Sequence, residues 1–92
     1  MAHNQLSSWR WAWEQDGLGS SAKAVLLALA WDANMRRGVT TLPVGRIVEM
    51  TELSERSVHR MLRKLEALGK IKRAPIYRGD GSQTANRYTI CR

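Results

Sequence analysis

Arg56, Arg60 and Arg63 are spaced so that, on a helix turning about 100° per residue, they fall within roughly 60° of one another. A row of guanidinium groups grips phosphate and donates bidentately to guanine O6 and N7, so the chemistry on offer is recognition of a polyanion that displays base edges. Ser57, His59 and Lys64 flank the row. The acids of the same stretch, Glu55 and Glu66, fall together off to one side, so the centre of the exposed face carries only positive charge. An ordinary solvated face mixes signs instead.

The charge of the whole chain is sorted the same way. Residues 1 to 53 hold five basic and five acidic side chains. Residues 54 to 92 hold ten basic against three acidic ones, so the second half carries the entire formal +7. Such asymmetry marks a surface built to meet a polyanion. Beyond the arginine row, Lys70, Lys72, Arg73, Arg78 and Arg87 supply cations along a β-rich tail, and Gln83 lies at its turn.

Catalytic chemistry finds no support. His3, His59 and Cys91 lack metal-ligand spacing, and neither a Ser-His-Asp set, paired carboxylates nor a Gly-rich phosphate loop is visible. No catalytic residue, metal or cofactor is expected. The single cysteine excludes an internal disulfide framework and suits a reducing cytosol. The longest apolar run, residues 24 to 31, is too short for a bilayer, and the N-terminus lacks the pattern of a secretory signal, so the expectation is a cytoplasmic protein without a membrane partner.

The elements that position these residues read as follows. Ser7 or Ser8 caps a short helix from about Trp9 to Gln15. Trp9, Trp11 and Trp13 alternate, which by periodicity alone also suits a strand. Ser20 or Ser21 caps a second helix reaching about Arg37, apolar on most sides and therefore central, with Trp31 assigned to the core. Arg36 and Arg37 suit its C-terminal end, and Gly38 its stop. Thr40-Thr41-Leu42 is β-prone, and Pro43 opens a third helix from Val44 to about Met50. After a corner at Thr51-Glu52-Leu53, Ser54 caps a fourth helix to Leu68, closed by Gly69. Val58, Met61, Leu62, Leu65 and Leu68 fall in one arc of roughly 120°, the core-facing stripe. Lys70–Tyr77 and Ala85–Cys91 read as strands around a Gly79-Asp80-Gly81-Ser82 turn. The fold expected is mostly α with a small β-hairpin (α+β), in one domain over residues 1–92.

Ile47, Val48, Thr51, Leu53, Val58 and Met61 hold the spacing at which two short helices lock across a tight turn. With Ser21 to Ala30, Leu53 to Val58 and the Ser82–Ile90 strand with its Asn86-Arg87-Tyr88, the pattern resembles the winged helix-turn-helix domains of replication and regulatory proteins of phages, plasmids and other mobile elements. The resemblance covers about residues 9 to 91. It implies a helix-turn-helix at about 43–69 and a wing hairpin at about 70–91. Two positions depart from the pattern. Glu52 stands where Gly is usual, and because a left-handed non-Gly residue costs roughly 1 kcal/mol, a differently built corner is expected. Val44 replaces a small polar residue that often contacts phosphate.

The function this implies is sequence-specific binding of double-stranded DNA. Arg56, Ser57 and Arg60 read base edges, and His59, Arg63 and Lys64 contact bases or phosphate. The tip from Arg78 to Thr84, with Gln83 and Arg87, serves as the wing, while Lys70, Lys72 and Arg73 add phosphate contacts. A small transcriptional regulator or accessory factor of a mobile genetic element is the role expected. Origin binding in replication and an excisionase-like architectural role are the alternatives within the class, and a winged-helix protein adaptor stands outside it. The tryptophans read mainly as packing for the first helix, with stacking on single-stranded nucleic acid as the other option. Structured RNA is disfavoured, because its major groove is too narrow for a helix. A weak homodimer or cooperative assembly on DNA is left open.

Overall fold

The computed structural model describes residues 7–34 and 38–92. Among them are four helices, α1 (Ser7–Glu14), α2 (Ser20–Asn34), α3 (Val44–Thr51) and α4 (Glu55–Ala67), and three strands, β1 (Val39–Thr40), β2 (Ile71–Tyr77) and β3 (Gln83–Ile90). The result is a small α+β unit. The expected end of the second helix, with Arg36 and Arg37, lies outside the described residues. None of the described helices is long and apolar enough to cross a membrane.

The sheet is antiparallel in the order β1-β3-β2. The sequence foresaw a two-stranded hairpin and left the Thr40 segment as a β-prone piece. In the fold Val39 pairs with Thr89 and Thr40 with Tyr88, which makes a third, two-residue strand. Thr40 is fully buried, and its hydroxyl donates to Asp32 of α2 while accepting from the Leu42 amide. A buried hydroxyl with both roles satisfied fixes where the chain crosses from sheet to helix.

Helix α2 is central and packs on α1, α3, α4, β1 and β3. Val25, Leu26, Leu29, Ala30 and Ala33 are buried along it and meet Ile47 of α3, Val58, Leu62 and Leu65 of α4, and Ile71, Tyr88 and Ile90 of the sheet. An isolated helix as short as α4 is marginal in water. Burial of its three aliphatic side chains, about 1.5–3 kcal/mol each, is what fixes it.

Two residues depart from the expected core. Trp31 is 53% exposed and Leu68 is 51% exposed. Trp31 lies on the side of α2 that neither α4 nor the sheet covers; it packs edge-on against Trp9, with ring centroids 5.9 Å apart. Leu68 is the C-cap of α4, past its last helical residue Ala67 and just before the left-handed turn at Gly69, so it stands at the open end of the arc. Met61, by contrast, is half-buried against the core as expected.

Candidate nucleic-acid interface

Ser54 begins the construction of the site. Its side chain accepts from the Ser57 amide at 3.1 Å and satisfies one of the free N–H groups of the first turn of α4. At the other end the chain closes in a Schellman turn. Gly69, at φ +74, donates to Glu66 O, and Lys70 donates to Leu65 O. Both ends match the sequence reading, so the arginine row sits on a helix with defined limits.

The corner before α4 corrects one expectation. It is not built differently: Glu52 itself adopts the left-handed conformation, at φ 61 and ψ 19, and donates its amide to Val48 O. Thr51 braces the corner by donating its hydroxyl to Ile47 O and accepting from the Leu53 amide. Leu53 and Val48 pack on the core from either side. The surroundings therefore hold Glu52 in a conformation that a side chain disfavours. Pro43 occupies the N-cap position of α3 with extended backbone and makes no side-chain cap.

Arg56, His59, Arg60 and Arg63 are exposed on α4 and form no hydrogen bond or ion pair among the described residues. The three guanidinium groups thus stay together on one open face. Ser57, expected among the base readers, has a partner at the cap of its own helix. It is half-buried, and its hydroxyl accepts from Ser54 Oγ at 3.0 Å, so it belongs to the helix cap. Lys64 is exposed, and its ammonium donates to the carbonyl of Leu18 at 2.8 Å and ties α4 to the loop between α1 and α2.

The cations of the tail separate by strand face. Arg73 is opposite the buried Tyr88, so it faces the helices and reaches Glu66 of α4 at 3.1 Å. Lys72 is opposite Thr89 and Arg87 opposite Ala74, which puts both on the other face of the sheet, as diagonal neighbours. The sequence reading groups Lys70, Lys72 and Arg73 as phosphate contacts; strand alternation puts Lys72 and Arg73 on opposite faces. Lys70 is also occupied, donating to Gln15 Oε1 at 2.7 Å beside the Trp11 ring.

At the hairpin tip, Arg78 is exposed, and its amide donates to Ser82 O at 2.7 Å to close the turn. Asp80 Oδ1 accepts from the Ser82 amide and hydroxyl at 3.0 and 2.7 Å, and these bonds hold the Asp80 carboxyl below its ordinary range. Gln83 is exposed and donates to Asn86 Oδ1, three residues further along its strand, at 2.8 Å. The open cations of the candidate surface are therefore Arg56, Arg60 and Arg63 of α4, Arg78 at the tip, and Lys72 and Arg87 on the far sheet face.

A second surface was not legible in the sequence. Trp9, Ala24, Leu27, Ala28, Trp31 and Met50 line an open apolar groove between α1, α2 and α3. Assigning Trp31 to the core hid it, because α2 is apolar around most of its circumference. Comparison with protein-family models, with curated proteins and with solved structures returns no match for this chain.

Proposed function

We infer that the chain is a sequence-specific double-stranded DNA-binding protein of winged helix-turn-helix type. In this reading α3 and α4 are the helix pair, α4 enters the major groove, and the β2–β3 hairpin is the wing. The observation that carries it is the row Arg56, Arg60 and Arg63, which is exposed, free of internal partners among the described residues, and rigidly held from beneath by Val58, Leu62 and Leu65. Guanidinium groups standing together cost electrostatic energy unless a polyanion meets them. The left-handed corner at Glu52 and the antiparallel hairpin agree with the same reading.

Arg56, Arg60 and Arg63 serve base edges and adjoining phosphates, His59 lies beside them, and Arg78 reaches the neighbouring backbone from the tip. Lys72 and Arg87 add positive field. Lys64, Lys70 and Arg73 each already hold a partner within the protein. The role that follows is that of a small transcriptional regulator or accessory factor of a mobile genetic element, with origin binding or an excisionase-like role as the alternatives.

The test is retention of random duplex DNA across a salt series. Neutralising about four to five phosphates gives a slope of log affinity against log salt of about −4. A slope near zero, with weak and sequence-blind retention throughout, contradicts the proposal and favours a protein adaptor.

A further inference from the structure

Helix α4 presents donors where a groove would meet it. Its thirteen residues include neither Asn nor Gln, the side chains that match the acceptor and donor of adenine together. Of its two carboxylates, which suit the amino group of cytosine, Glu66 is held by Arg73 and Glu55 stands in the first turn, off the arginine row. The nearby cations Lys64, Lys70 and Arg73 each have a partner within the protein, whereas the three arginines of the row have none among the described residues. A planar fork of N–H donors needs two acceptors side by side. In the major groove guanine supplies that pair as N7 and O6; adenine sets an amino donor beside N7, and thymine a methyl group beside O4. From Arg56 to Arg63 the helix rises about 10.5 Å, the length of roughly three base-pair steps.

The geometry points to a guanine cluster as the specific ligand. On the premise that α4 enters the major groove, which is the reading given above, Arg56, Arg60 and Arg63 determine specificity. They select guanine at two or more of roughly four consecutive base pairs, on either strand. The rest of the interface holds the backbone without regard to sequence.

Selection of short random duplexes by the full chain, with sequencing of the retained fraction, should return this cluster. Replacing a selected guanine by 7-deazaguanine deletes N7 and keeps base pairing; it should weaken binding roughly fivefold or more. Arg60→Gln lies on the exposed face, leaves the core untouched, and should convert one guanine position of the selected motif to adenine. A motif of A·T pairs, retention without any motif, or indifference to 7-deazaguanine at every guanine overturns the guanine assignment while duplex binding itself survives. Failure to retain any duplex at low salt overturns the underlying reading as well.

Discussion

The ammonium of Lys64 lies 2.8 Å from the carbonyl oxygen of Leu18, forty-six residues away in sequence. Leu18 is buried in the core, and its carbonyl belongs to the loop joining α1 to α2. The helix carrying the arginine row is therefore tied to the N-terminal part of the fold by one of its own cations. Lys64→Ala should lower stability by about 1 kcal/mol in urea unfolding and change duplex affinity little. Arg60→Ala should do the reverse, leaving the unfolding midpoint in place and costing about 1–3 kcal/mol of specific affinity. Equal losses of affinity in the two variants would return Lys64 to the binding surface.

Glu52 is the one non-glycine residue with positive φ among the described residues. Relief of its strain gives Glu52→Gly up to about 1 kcal/mol of extra stability, part of it offset by the freedom glycine adds to the unfolded chain. Glu52→Val should be the least stable of a Gly, Asn, Ala and Val series, because a β-branched side chain tolerates this conformation worst. Thermal unfolding of the four variants checks the order, and a Val variant as stable as the Gly variant would remove the strain argument.

Asp80 holds the hairpin turn through Ser82 and is also the sole acid between Glu66 and the C-terminus. Asp80→Asn keeps an oxygen to accept from Ser82 and deletes the charge beside Arg78. Duplex affinity at low salt should rise roughly twofold to threefold, with the gain disappearing at high salt. With pH the turn behaves as a lowered carboxyl requires: its contribution is present above the ordinary carboxylate range and is lost as pH falls through the lower value that Asp80 has in the fold. Hairpin amide exchange followed into acid should show that order of events.

Glu66 and Arg73 are each 38% exposed, so their ion pair contributes under about 1 kcal/mol. Glu66→Gln should leave stability nearly unchanged, release Arg73 and tighten duplex binding in a salt-dependent way. Electrophoretic retention at two salt concentrations separates this from a structural loss, which would weaken binding at both.

What the sequence disclosed was local. The cap at Ser54 and the glycine stop at Gly69 depend on neighbours within a few positions and form where the spacing placed them; the hairpin forms too, with β3 starting at Gln83, two residues before the expected Ala85. The arginine row also follows from helical spacing alone. Trp31 and Leu68 were misplaced because a helical wheel says which residues share a face but not what covers that face. Lys64 and Arg73 have partners that no local pattern announces, because Leu18 and Glu66 come near only once the chain has folded. The pairing of Val39–Thr40 with β3 is of the same kind, too short to announce itself and fixed by a partner about fifty residues away.

All four tryptophans lie on α1 and α2, and Trp9 sits edge-on between Trp13 and Trp31 at 5.7 and 5.9 Å. The indole rings thus form an optical reporter on the two N-terminal helices, while α4 and the hairpin carry none. Ultraviolet emission follows whether α1 is seated on α2. A titration with nucleic acid leaves that emission steady as long as α1 keeps its place, so the tryptophans report unfolding while a labelled duplex reports binding in the same sample.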